Sequence, residues 1–89
     1  MNRLSIIVPV YNGEKTIKRA IDSLLQQTEE VDIIVVNDGS TDNTESVVKT
    51  YSDSNIHYYH KKNGGISDAR NFGISKVKTE FFGFLDSDD

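Results

Sequence analysis

Apolar residues along the chain follow two alternating rhythms. The first is a short dense run, seen in Leu4-Ser5-Ile6-Ile7-Val8-Pro9-Val10, Val31-Asp32-Ile33-Ile34-Val35-Val36, Ile56-His57-Tyr58-Tyr59-His60 and Phe81-Phe82-Gly83-Phe84-Leu85. Runs of this length, rich in β-branched and aromatic residues, read as strands, and the first two read as strands covered on both faces. The second rhythm fills the intervals. Ile17, Ala20, Ile21, Leu24 and Leu25 fall at i, i+3, i+4, i+7 and i+8, one face of a helix, with Lys18, Arg19, Asp22 and Ser23 turned away. Asn12 is the expected N-cap of that helix. Asp42, with Glu45 three residues on, resembles a capping box for a second helix that uses Val47, Val48 and Tyr51. A loop Lys61-Lys62-Asn63-Gly64-Gly65 then leads into a third helix over Ser67 to Val77.

Strands alternating with helices imply βαβ units and a parallel sheet. Right-handed crossovers favour a doubly wound, Rossmann-like α/β order of 3-2-1-4. Strand 1 is then central, strand 3 lies near an edge, and the ligand crevice opens at the carboxyl ends of the strands. The run Phe81 to Leu85 is expected to be buried, which would hold the acidic residues after it at a fixed place. It is also the last strand of this order, with one side unpaired and no Lys or Pro to blunt it, so self-association through strand 4 is expected.

Composition narrows the chemistry. With 89 residues the chain is one small domain or part of one. It has no cysteine, which excludes a disulfide scaffold, a thiol nucleophile and a Cys-ligated zinc. Lys and Arg number 10 against 14 Asp and Glu, a net charge of −4 that makes nucleic acid a poor partner. No apolar stretch approaches the roughly 20 residues a membrane helix needs.

The distinctive residues gather at predicted strand ends. Pro9, Tyr11, Asn12 and Glu14 follow strand 1, Asp38 follows strand 2, and Asp86-Ser87-Asp88-Asp89 follows strand 4. In an extended segment Asp86 and Asp88 point to the same side. Two hard oxygen donors so placed suit Mg²⁺ or Mn²⁺, although a solvated acidic turn has the same composition. An acidic crevice repels phosphate unless a divalent cation bridges the two, so this pattern suggests a metal-bound nucleotide. Arg70 is the basic exception, able to meet a phosphate or pair with one of the aspartates. Asp38 can accept a hydrogen bond from a nucleobase imide or a ribose hydroxyl, or else serve an Asx turn or a helix cap. Tyr11 can stack on a base or pack over the sheet edge.

Other signals fail on inspection. Asp38, Ser40 and Asp42 imitate a calcium loop, but its sixth position is Asn43 where glycine is required. Neither a G-x-G-x-x-G nor a P-loop motif is present. His57 and His60 are three apart on a strand and so face opposite ways.

Taken together, four segments resemble the N-terminal nucleotide-sugar-binding half of an inverting family 2 glycosyltransferase of the glycosyltransferase A fold. They are Ser5 to Asn12, Ile33 to Asp42, Asn63 to Ile74, and Phe84 to Asp89, in the family's order and across nearly the whole chain. The resemblance implies that Asp38 reads the base, with Pro9, Tyr11 and Glu14 lining its pocket. It implies that Arg70 lies along the donor nucleotide. Asp86 and Asp88 would form the D-x-D pair, Asp86 toward ribose or metal and Asp88 as metal ligand. Asn37 stands where many members have Asp.

The expected activity is transfer of a sugar from a nucleoside-diphosphate sugar, a UDP-sugar for preference, to an acceptor hydroxyl on a glycan or lipid-linked glycan. The setting implied is polysaccharide or glycoconjugate synthesis in the cytoplasm, with peripheral contact at the inner face of the membrane. Residues 1–89 would carry the donor and metal site only, the catalytic base lying beyond Asp89, and would be inactive alone. The competing reading is a non-catalytic metal- or phosphate-binding α/β module, such as a receiver-like domain. That class wants its acidic cluster after strand 1, where this chain has Pro9-Val10-Tyr11-Asn12.

Overall fold

The computed structural model describes residues 2–27 and 30–87. The elements run β1 (Leu4–Val10), α1 (Ile17–Leu25), β2 (Asp32–Asp38), α2 (Thr44–Val48), β3 (Ile56–Lys61), α3 (Ile66–Ser75) and β4 (Phe81–Phe84). The four strands form one parallel sheet in the order β3-β2-β1-β4, as the alternation predicts. In register, Val8 lies opposite Val35 on β2, and Ile7 lies opposite Phe84 on β4.

Alternation within the central strands divides the core in two. Val8, Val10, Ile33 and Val35 face α1 and α2 and pack on Ile17, Ala20, Ile21, Leu24 and Val48. Ile7, Ile34 and Val36 face α3 and pack on Ala69. The second layer is thin because α3 lies very close to β1. A methyl added at Gly73 would come within 2.4 Å of Ile7 Cγ2, and Ala69, one turn earlier, is fully buried. Small residues on that stripe let the helix settle onto the sheet.

Four expectations need correcting. Asn12 does not cap α1: it has φ of 51°, and α1 begins only after a turn in which Thr16 N–H and Ile17 N–H donate to Gly13 O. Asp42 does not cap α2 in a capping box; it precedes the Asn43 cap position, and its carboxylate serves Thr44 and the α1 approach instead. Lys61 is the last residue of β3, not loop, and lies in register with Asp38. The run Phe81–Phe84 is not buried. Phe81, Phe82 and Phe84 are 54%, 45% and 44% exposed, because an edge strand has a neighbour on one side only and α3 covers β1 and β2 rather than β4.

Candidate functional site

The carboxyl ends of the strands frame a cleft of about 920 Å³. Pro9, Tyr11, Glu14, Asp38, Arg70 and Asp86, which the sequence singles out from four separate segments, all line it. Asp88 lies outside the described residues. Three walls can be traced to their local causes.

The first wall is the β1–α1 loop, and it is stitched to the β2–α2 loop. Asn12 in its left-handed conformation turns its N–H onto Ser40 Oγ at 2.8 Å, and its Oδ1 accepts from Thr41 N–H at 2.8 Å. Gly13 N–H donates to Thr44 Oγ1 at 3.0 Å, and Glu14 N–H to Asp42 Oδ2 at 3.2 Å. Burial pushes the Asp42 carboxyl up, but donors from Thr44 and the Glu14 N–H outweigh it and hold it below the ordinary value. Pro9 and Val10 end β1 at the cleft floor, and Tyr11 stands 54% exposed above them, with its ring free to stack.

The second wall is the β3–α3 loop, and Asp38 organises it. Asp38 is 4% exposed. Its Oδ1 accepts from Gly64 N–H at 3.0 Å and from Lys61 Nζ at 3.2 Å. Its Oδ2 accepts from Gly65 N–H at 3.0 Å and, more distantly, Asn63 Nδ2 at 3.5 Å. Asn63 Nδ2 is closer to the Asp38 carbonyl, at 2.9 Å. Gly65 meets this demand with φ of +96°, a conformation costly for any other residue. Asp38 therefore forms neither an Asx turn nor a helix cap. The Asx-type bond belongs to its neighbour, Asn37, whose Oδ1 accepts from Ser40 N–H at 3.0 Å.

The third wall joins α3 to the end of β4. Arg70 Nη2 meets Asp86 Oδ1 at 3.3 Å, and its guanidinium lies 5.7 Å from the Phe84 ring centre. Arg70 Nε is buried without a hydrogen-bond partner among the described residues. Both partners of the pair are about two-fifths exposed, so a ligand can reach them. No group of three or more His, Asp or Glu side chains converges on a metal-sized site among the described residues. One carboxylate is nevertheless enough of a protein contribution for a cation that takes its other ligands from phosphate and water. Asp86, an accessible hard oxygen donor in the cleft, fits that description.

Sequence reasoning missed Lys61 and Thr44 as supports of the cleft, and it read Asp42 as a helix cap and Asn63 as part of a loop and of a family segment, without their supporting contacts. Asn63 had a faint signal, as a turn-forming residue before Gly64-Gly65. Lys61 had none, because its importance comes from cross-strand register.

Comparison with known proteins agrees with this fold. The profile of glycosyl transferase family 2 matches residues 5–89. An uncharacterized glycosyltransferase of Rickettsia felis is 53% identical over 89 residues, covering 97% of this chain and 15% of that protein. The crystal structure of S. aureus TarS 1-349 in complex with UDP superposes with a TM-score of 0.89 at 35% identity, over 99% of this chain and 28% of that one. The mannosyltransferase PcManGT from Pyrobaculum calidifontis, in complex with GDP-Man and Mn²⁺, superposes with a TM-score of 0.88 at 26% identity, over 97% of this chain and 27% of that one. The chain thus spans less than a third of the length of each of these relatives.

Proposed function

Because this chain belongs to glycosyl transferase family 2, we propose that its cleft holds the nucleoside diphosphate of a sugar donor, and that the protein transfers that sugar to an acceptor hydroxyl with inversion. The observation that carries the proposal is the convergence of Pro9, Tyr11, Glu14, Asp38, Arg70 and Asp86 on one cleft from strand ends far apart in sequence. A receiver-like module would place its acidic group after β1, which ends here in Pro9 and Val10.

The chemistry of each wall suits one part of the donor. Tyr11 offers an aromatic face for the base. Asp38 lies at the base end, where a carboxylate has about four acceptor sites and four donors already approach. A uracil imide N–H would exchange with the weakest of them, the Asn63 amide at 3.5 Å. Uridine is favoured over cytidine on this ground, since cytosine has no imide proton, and TarS, which is 35% identical, was crystallised with UDP. Arg70 is the phosphate-facing group. Binding of a diphosphate would give its unpartnered Nε an acceptor.

Asp86, together with Asp88, would hold Mg²⁺ or Mn²⁺, and the ion would neutralise charge developing on the departing diphosphate. The protein's own residues orient the donor: β1 and β2 fix the base, α3 fixes the phosphates, and the end of β4 fixes the ribose side. In a protein of the length of the relatives, a base carried elsewhere would deprotonate the acceptor. A cytoplasmic setting at the inner membrane face belongs to the same proposal, and no helix among the described residues is long and apolar enough to cross a membrane.

Calorimetry with UDP and CDP, each with and without Mn²⁺, tests this reading. UDP should bind more tightly than CDP, and Mn²⁺ should strengthen UDP binding by about tenfold or more, about 1.4 kcal/mol. Asp86→Asn should remove most of the metal's gain. Equal UDP affinity with and without metal would overturn the metal assignment, and failure of UDP to bind at all would overturn the function.

A further inference from the structure

We propose that Lys61 is a positioning residue for the nucleotide cleft: its ammonium locks the Asp38 carboxylate and the first turn of α3 together, and so sets the wall that carries Arg70. The proposal rests on the nucleotide reading above and deepens it.

Three observations converge. First, Lys61 and Asp38 are register partners on adjacent strands, so their side chains emerge on the same face of the sheet, toward α3. Second, the Lys61 side chain is only 14% exposed and its Nζ contacts three oxygens: Asp38 Oδ1 at 3.2 Å, the Asp68 carboxylate, and the Lys62 carbonyl. Hydrogen bonding to Asp68 holds its pKa above the ordinary lysine value, against an opposing effect of burial, so the group stays charged at neutral pH. Third, the Asp38 carboxylate that Lys61 neutralises also accepts both Gly64 and Gly65 N–H groups. A methyl on Gly64 would fall 2.3 Å from Asp68 Oδ2, so the loop is folded tightly beneath the same aspartate.

The consequence is a closed chain of constraints. Asp38 grips the loop from below, Asp68 meets it from the first turn of α3, and Lys61 ties the two aspartates to each other. Asp38 is almost wholly removed from water, and a buried carboxylate without a compensating cation is strongly disfavoured. Remove the ammonium and Asp38 must turn out toward water, releasing Gly64 and Gly65. Arg70, one turn into α3 from the loop, then loses its fixed approach to the cleft and to Asp86. Lys61 acts through Asp38 and the loop rather than on substrate.

The test uses Lys61→Met, Lys61→Arg and Asp68→Asn in the full chain, with amide hydrogen exchange measured without nucleotide and UDP affinity measured with Mn²⁺. Lys61→Met should lose protection at Gly64 and Gly65 while Ile7 and Val35 in the sheet keep theirs, and its UDP affinity should fall at least about tenfold, the scale expected when a buried charge loses its partner. Lys61→Arg, which keeps a donor for both aspartates, should recover most of the protection and affinity. Asp68→Asn, at an exposed position, should show the same pattern more weakly, and it answers the question should Lys61→Met lose the sheet as well. Unchanged Gly64 and Gly65 protection in Lys61→Met and Asp68→Asn overturns the proposal. So does lost protection with full UDP affinity, which would make the lock irrelevant to the cleft. A wild-type chain whose loop is protected but which binds no UDP instead overturns the nucleotide reading, and with it the role of the lock in binding.

Discussion

β3 and β4 close the same sheet at opposite edges, and they are built from different chemistry. On the β3 side the aromatic residues are tied down. Tyr58 accepts from Asn37 Nδ2 at 2.9 Å and donates to Glu45 Oε1 at 2.9 Å, while Tyr59 packs edge-on against Phe72 with ring centres 5.8 Å apart. Its exposed positions are His57 and His60, and it ends in Lys61. Charged and polar side chains of this kind discourage another strand from docking. On the β4 side three phenylalanines stand exposed, with the Phe82 and Phe84 rings edge-on at 5.9 Å, Arg70 over Phe84 and Arg3 over Phe81. These rings have no polar atoms to satisfy, and β4 itself, Phe81–Phe84, carries no charged or polar side chain. The difference separates two tasks: the β3 edge is finished as a surface and anchors the cleft wall, whereas the β4 edge has the character of an interior strand.

The largest expected effect breaks the contrast outright. Phe82→Lys with Phe84→Lys would give β4 the character of β3. Sedimentation of the chain should show self-association through β4 in the wild type and a monomer in the double variant, with His57→Lys on the opposite edge changing nothing. A wild-type chain that sediments as a monomer at all concentrations would show that β4 is a tolerated surface. The same comparison explains one failure of sequence reasoning. An apolar run is legible as a strand, but its burial depends on what lies beside it. Phe81–Phe84 has the same apolar density as β1, yet only β1 sits between two partners.

A smaller effect sharpens the polar side. Asn37 is 1% exposed, and its amide begins a directed chain of hydrogen bonds: Asn37 donates to the Tyr58 hydroxyl, which donates to Glu45. Burial, followed by the Glu45 hydrogen bond, raises the Tyr58 pKa despite the Asn37 bond, so the hydroxyl keeps its proton. Asn37→Asp replaces the donor with an acceptor, so the Tyr58 hydroxyl can satisfy the new carboxylate or Glu45 but not both. The loss should be about 1–3 kcal/mol, the usual consequence of an unsatisfied buried group. Urea denaturation of the variant beside Asn37→Ala would measure it; equal stability of Asn37→Asp and wild type would show that the direction of the chain does not matter.

The strand order, the face of α1 and the six cleft residues were legible because they follow from periodicities and from residues at strand ends, whereas α2 stops at Val48, short of the Tyr51 its expected face included. What could not be read was how loops from different strands complete one another. Asn12 and Asp42 carry good capping chemistry, but Asn12 finds its partner across a loop boundary, in Thr41, and Asp42 divides its oxygens between Thr44 nearby and Glu14 on the other loop. Asp38 looked like a single functional carboxylate, and its four donors come from residues 61 to 65, on the next strand and the loop that leaves it. Lys61 became visible only once β3 was set in register against β2.

The smallest effect concerns acid, which should loosen the polar side and spare the phenylalanine edge. Asp42 joins the two loops at the cleft, and its donors keep its pKa below the ordinary 3.8 despite the opposing effect of burial. A carboxyl whose pKa is lowered by folding adds stability above its unfolded value, and that contribution disappears as pH falls through the folded value. The gain from Asp42 should therefore be complete above about pH 5 and should vanish below 3.8, in the range where the folded group takes up its proton. Asp22 shows the same direction for another reason: hydrogen bonds from Lys18 and then from Tyr51 lower it, on the outer face of α1. The pair provides an internal control. Asp42→Asn and Asp22→Asn should both flatten the acid limb of the stability profile, but only Asp42→Asn should also weaken nucleotide binding at neutral pH, by a few-fold, because only Asp42 holds a cleft wall. Neither should alter association through β4. Stability profiles measured across the acid range to neutrality, with UDP titrations at neutral pH, separate the two aspartates. An acid limb unchanged by Asp42→Asn would mean that the Thr44 and Glu14 contacts persist when residue 42 is neutral, so that its charge adds nothing to the joining of the two loops.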